Sequence, residues 1–219
     1  DDVREKAVAS NPWLGPYRPW LEVLRLEKPD ELDDKLDQLF HEKSITGYSA
    51  WTRLFDETMS SLRFEIDGEE LAIEQTLNML QDADGAVRKK ASEALAKTFG
   101  ANLRTFTLIT NTLAKDKEIS DRWRGFQDIA DSRHLANRVE REVVDALSSA
   151  VEAAYPRISH RYYALKAKWL GLEKLENWDR NAPLPDTPQA LISWDEARET
   201  VLPAYGNFAP EMAEIAKQF

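Results

Sequence analysis

Apolar residues recur every three to four positions along most of this chain, the spacing that puts them on one face of an α-helix. Leu32, Leu36, Leu39 and Phe40 share such a face, and Asp33, Asp34, Asp37 and Glu42 take the positions between. Val87, Ala91, Ala94, Leu95 and Thr98 repeat the pattern, as do Val139, Val143, Leu147, Ala150, Val151 and Ala154. The punctuation fits helices. Pro29 closes a segment ending near Lys28, and Asp30 is placed to cap the next one. Asp84 predicts a helix from 85 to about 99, with Gly100 as its C-cap. Pro156 suits the first turn of a helix over about 157–170, ended by Gly171. Ser193-Trp194-Asp195-Glu196 has the form of a capping box and predicts a helix ending near Pro203.

One segment has a different period. Leu62-Arg63-Phe64-Glu65-Ile66 alternates apolar and charged residues, Asp67-Gly68 follows, and residues 69–73 alternate again. An Asp-Gly pair between alternating runs predicts a β-hairpin, which must rest on helices because a lone hairpin is marginal in water. The expected fold class is therefore mainly α: a multi-helix array with one short β-hairpin at about 62–73. The long irregular stretch 172–193 contains Pro183, Pro185 and Pro188. Leu172, Leu175, Trp178 and Leu184 give it apolar anchors, so it reads as an ordered loop more than as an interdomain linker.

Length and composition narrow the possibilities. The 219 residues suit one large domain or two small ones, and a 42% hydrophobic fraction with seven tryptophans supports a core. A formal net charge of −10 repels phosphate backbones and anionic membranes, so neither nucleic acid nor membrane is an expected partner. Arg88-Lys89-Lys90 is the largest basic run and reads as a solvated helix face. With no cysteine, disulfides, thiolate catalysis and cysteine-ligated metals are excluded. No apolar run reaches the roughly 20 residues that span a bilayer. The start at Asp1 has no initiator methionine and no signal-peptide core, which favours the cytoplasm and a trimmed N-terminus.

Candidate chemistry is sparse. His41-Glu42 opens like a zinc-protease helix, but Ile45 stands where the second histidine is needed one turn on. Gly47-Tyr48-Ser49-Ala50-Trp51 resembles a nucleophile elbow until Trp51, where the tight turn needs glycine; Ser49 reads better as a helix cap. Acidic pairs such as Glu140 with Glu142, or Asp33 with Asp37, read as solvated surface. Trp51, Phe55, Trp123, Phe126, Tyr162, Tyr163 and Trp169 read as core packing within helices.

Three blocks add what the periodicity does not. They are Asp82-Ala-Asp84-Gly-Ala-Val-Arg88 with the alanine-rich helix after it, Arg133-His134-Leu-Ala-Asn137 running on to Asp145-Ala-Leu, and 160–185, which opens His160-Arg-Tyr-Tyr and closes Leu184-Pro185. In order and spacing they resemble the oligoendopeptidase F-like zinc metallopeptidases, relatives of thimet oligopeptidase and neurolysin. The resemblance implies the N-terminal part of an elongated helical oligopeptidase. It divides the chain into a helical module with the hairpin, 1–115, and the start of the catalytic region, 116–219, cut before the zinc motif. It implies a parent protein that hydrolyses oligopeptides in a deep channel with one zinc, held by a His-Glu-x-x-His helix and a later glutamate. None of those ligands has a matching position here, so no catalytic or metal residue is carried over. The chain alone is expected to be inactive, to bind no zinc and to form one channel wall. Helices that pack against the rest of such a protein should then leave a large apolar patch bare. Tyr162, Lys166 and Asp179, from the third block, are the candidates for supporting the channel. Their plainer readings are an aromatic anchor, a snorkelling lysine and a capping or ion-paired aspartate. The alternative reading is a stand-alone acidic helical module that binds a basic protein. Oligomeric state is not encoded in any motif.

Overall fold

A computed structural model describes residues 2–185 and 192–219. Residues 1–182 and 183–219 form two compact units. The first carries α1 (Asp2–Ser10), α2 (Arg18–Leu26), α3 (Asp34–Ser44), α4 (Tyr48–Ser61), β1 (Phe64–Ile66), β2 (Glu69–Leu71), α5 (Ile73–Met79), α6 (Gly85–Ala101), α7 (Leu103–Arg124), α8 (Asp131–Asn137), α9 (Arg141–Ala154) and α10 (Ser159–Trp169). The second carries α11 (Trp194–Phe208) and α12 (Pro210–Ala216), packed on each other. Helix α7 runs unbroken through position 115. Among the described residues the chain is mainly α with one two-stranded antiparallel sheet, as the periodicity predicts.

The hairpin forms where alternation places it. Phe64 pairs with Leu71, Glu65 with Glu70 and Ile66 with Glu69. Asp67 (φ 53°) and Gly68 (φ 89°) make the two-residue turn, whose left-handed backbone matches the strand twist. Alternation sends Phe64 and Ile66 inward, where they join Ala91, Ala94 and Leu95 of α6 in the main core. It sends Glu65 outward to Lys97 (3.0 Å), while Asp67 at the turn pairs with Lys90 (2.8 Å). Leu62, Leu71, Ile73, Met79, Leu80 and Phe99 close the rim of this core. Full burial of Phe64 stabilises by about 1.5–3 kcal/mol in transfer terms.

Several boundaries differ from the sequence reading. Asp33, not Asp30, caps α3: its backbone is extended, and its carboxylate accepts from Lys35 and Leu36 N–H at 3.1 Å each. Asp30 lies in a short 3-10 turn, Lys28–Asp30. Gly47 occupies the α4 N-cap and Ser49 falls inside the first turn. Asp84 caps α6 as expected (2.8 Å to Ala86 N–H), but the helix continues through Gly100 to Ala101, with Asn102 as its C-cap. Gly171, at φ 69°, does end α10. Ser193 and Glu196 form the reciprocal capping box, yet α11 continues past Pro203 to Phe208. Proline removes one donor there, and an exposed helix tolerates the carbonyl left to water.

The aromatic residues also fall differently. Phe64, Phe99, Phe106 and Phe55 form a chain of edge-on rings at 5.5, 6.0 and 5.9 Å. Trp123 and Trp169 are half-exposed, and Phe126 lies beyond the end of α7. In the irregular stretch, Leu172 and Leu184 are exposed, Leu175 and Trp178 are half-buried, and the buried residues are Asp179 and Ala182. Pro188 lies outside the described residues.

Candidate functional site

The sequence candidates lie on two elements. Helix α10 carries Tyr162 and Lys166, and a 3-10 turn, Asn177–Asp179, carries Asp179. The structure buries Lys166 and Asp179 together, each 3% exposed, and leaves Tyr162 at the surface, 44% exposed beside Tyr163. Lys166 is therefore not a snorkelling lysine: its amine donates to the Arg180 carbonyl at 2.7 Å.

The residue that joins them is Arg88 of α6, also 3% exposed. One terminal guanidinium nitrogen, Nη2, donates to Asp179 at 2.7 Å, and the other, Nη1, to the carbonyls of Asp82 and Ala83 at 2.7 and 2.8 Å. The second Asp179 oxygen accepts from the Glu176 N–H at 3.0 Å, so this carboxylate both caps the turn and closes the ion pair. Lys89 adds a cation–π contact with the Trp178 ring at 5.8 Å. The expectation that Arg88-Lys89-Lys90 is a solvated face thus holds for the lysines and fails for Arg88. Its signal was present in the spacing. Arg88, Ala91 and Leu95 lie at i, i+3 and i+7 on the buried face of α6.

Two cations and one carboxylate share this interior, and Arg88 Nε has no partner. Burial pushes the Lys166 ammonium below the usual lysine pKa, the Arg88 charge pushes it further, and Asp179 pulls it partly back. With Asp179 committed to Arg88 and Glu176, the cluster fits a structural clasp between α6 and residues 172–182. A reacting group would need solvent access, and these charged groups have almost none.

An open groove of about 1280 Å³ lies between α3 and the helices α7 and α8, lined by Phe40, Tyr48, Leu113, Asp116 and Ala136 among others. Some of its charges are spent on one another. Arg124 donates to Asp37 at 2.6 Å and to the Asp30 carbonyl at 3.2 Å. Lys117 pairs with Asp121 and donates to Ser132 at 2.9 Å and to the Ile129 carbonyl at 2.8 Å. Helices α3, α8 and α10 carry His41, His134 and His160 separately. Among the described residues no group of three or more His, Asp or Glu side chains could hold a metal ion. None of the described helices is long and apolar enough to cross a membrane.

Comparison with known proteins supplies what this geometry leaves open. A family model described as oligopeptidase F matches residues 1–64, and one described as peptidase family M3 matches residues 78–197. Oligopeptidase PepF of Bacillus subtilis (strain 168) is 27% identical over 226 residues, covering 100% of this chain and 33% of that protein. Group B oligopeptidase PepB of Streptococcus agalactiae serotype III (strain NEM316) is 29% identical over 143 residues, covering 64% of this chain and 24% of that protein. The crystal structure of oligoendopeptidase-F from Enterococcus faecium shares the fold over 97% of this chain and 44% of its own, with a TM-score of 0.75 at 21% identity. This chain thus spans about a third or less of the curated relatives it matches.

Proposed function

The chain belongs to peptidase family M3, and from that premise we propose that it is the N-terminal, non-catalytic part of a zinc-dependent oligopeptidase. The observation that carries this reading is the family match over residues 78–197, which contains all three members of the Arg88–Asp179–Lys166 clasp. The substrate class is short peptides, after the oligopeptidases the chain resembles. Its place of action is the cytoplasm. Residues outside this chain would hold the zinc and supply the catalytic glutamate. Bound there, the metal would polarise the scissile carbonyl and its water.

The role of this chain is architectural. Its helices form one wall of the channel that admits an extended peptide. Lys166 and Asp179 support that wall from behind, because both are buried: Asp179 ties residues 172–182 to Arg88 of α6, and Lys166 ties them to α10 through the Arg180 carbonyl. Tyr162 differs from them in having its ring exposed, and so is the member of the set free to face a peptide.

The test is zinc content and cleavage of a quenched fluorescent oligopeptide by the purified 219-residue chain. The expected result is substoichiometric zinc and no turnover above buffer. Stoichiometric zinc with chelator-sensitive turnover would overturn the assignment of the chemistry to residues beyond this chain.

A further inference from the structure

Helix α9 is amphipathic, yet its apolar side faces solvent. Val143, Leu147 and Val151 are 53%, 63% and 42% exposed. At 100° per residue, Val143, Val144, Leu147, Ala150, Val151 and Ala154 fall within an arc of about 120°. Glu142, Asp145 and Glu152 lie on the opposite side. Among the described residues of the first unit, no other element packs extensively against α9. The stripe from Val143 to Ala154 is about 16 Å long at the helical rise of 1.5 Å per residue.

A bare apolar stripe of this width on a helix is what a helix–helix interface needs and what a solvated helix avoids. Its centre carries no charge, so an occupant there must be apolar. Ala146, Ala150 and Ala153 along one edge let a second backbone come close. The matched relatives extend well beyond the region this chain covers, 67% of the length of one and 76% of the other lying outside the match, since 33% and 24% are covered.

We infer that the Val143–Leu147–Val151 face of α9 is the seat of an apolar-faced helix from a part of the same peptidase polypeptide outside these 219 residues. The inference rests on the proposed function in one respect: it takes the polypeptide to continue as its relatives do. The occupant packs its own i, i+4 ridge along the stripe and buries it from water. A second copy of this chain, or this chain's own residues, would leave different signatures.

The chain has no cysteine, so single thiols can report burial directly. Leu147→Cys and Val151→Cys are placed on the stripe, and Ser149→Cys on the far side as a control. Maleimide labelling is timed in the 219-residue chain and in the uninterrupted product of its reading frame. In the 219-residue chain all three should react at the rate of an exposed thiol. In the longer product the two stripe thiols should react at least tenfold more slowly, while the Ser149→Cys rate stays the same. Equal rates in both proteins overturn the inference, as does a reading frame that ends at Phe219. Protection in the 219-residue chain that grows with concentration assigns the face to a second copy. Protection there that is independent of concentration assigns it to the chain's own residues. Either result also overturns the inference. Peptidase activity of the longer product is scored separately. Activity without protection sinks the interface alone, and protection without activity sinks the peptidase reading alone.

Discussion

Asp179→Ala should be among the most damaging single changes in the chain. It removes a 2.7 Å charge-assisted bond to Arg88 and the 3.0 Å cap to the Glu176 N–H. It also leaves two cations, Arg88 and Lys166, in an interior where each is 3% exposed. Removing one partner of a buried ion pair costs about 3–5 kcal/mol. The lost cap adds about 1 kcal/mol, which puts the expected cost at the upper end of that range. For a chain of this size each kcal/mol shifts the melting temperature by about 2–4 °C, so the drop should be about 8–20 °C. Arg88→Met with Asp179→Leu removes both charges and fills the space. That double variant should regain the part of the loss that comes from the orphaned Arg88 charge, while Lys166 stays without its carboxylate and the Glu176 cap stays lost. The assays are urea denaturation for the free energy and hydrogen exchange for residues 172–182, whose protection should fall first. Loss below about 1 kcal/mol for Asp179→Ala, or a double variant as unstable as the single, would refute the clasp.

The other predictions are narrower. The folded-state pKa of Lys166 lies below its ordinary 10.5, so the folded chain releases that proton before the unfolded chain does. Stability should therefore rise with pH from the folded value up to the unfolded one. Urea midpoints across the alkaline range should show this rise in the native protein and lose it in Lys166→Met; identical slopes would contradict it. Gly68→Ala should cost about 1–2 kcal/mol from left-handed backbone alone, since nothing lies within 4 Å of the added Cβ. An unchanged urea midpoint would contradict that. Phe64→Ala should cost about 3–5 kcal/mol in a thermal melt, because the ring is fully buried against α6. Ser193→Ala should cost α11 about 0.5–2 kcal/mol, read by exchange of the first helical turn. The Ser193 N–H and hydroxyl hold the Glu196 carboxyl below its usual pKa. In the variant it should titrate closer to 4.5, the ordinary value, as NMR can follow.

The elements most legible in the sequence were those set by local chemistry. Asp67-Gly68 determines its hairpin, Asp84 its helix start and Ser193 its capping box, because each acts through backbone within a few residues. Asp30 and Asp33 are the same capping type and the sequence does not separate them; Asp33 has the extended backbone a cap needs, and Asp30 lies in a 3-10 turn. Gly100 and Pro203 read as stops, yet both sit inside helices: α6 runs one residue past Gly100, and α11 runs five past Pro203. The clasp was hidden for a different reason. Arg88 reads as one of three surface cations, and what makes its burial tolerable is a carboxylate 91 positions away. In the sequence Lys166 and Asp179 stand out only through the family-like block that contains them. Their burial came only from the structure. The pattern Val139–Val143–Leu147–Val151 marks α9 as amphipathic, but only the structure shows that Val143, Leu147 and Val151 are exposed.

The chain belongs to peptidase family M3, and its place in a zinc-dependent oligopeptidase is what we propose. Its most direct test is peptide hydrolysis by the uninterrupted product of the reading frame, assayed on a quenched oligopeptide before and after removal and return of zinc. The expected result is one zinc per molecule and turnover that falls with chelation and returns with the metal. A product without zinc or peptidase activity would contradict it, and so would full activity after the metal is stripped.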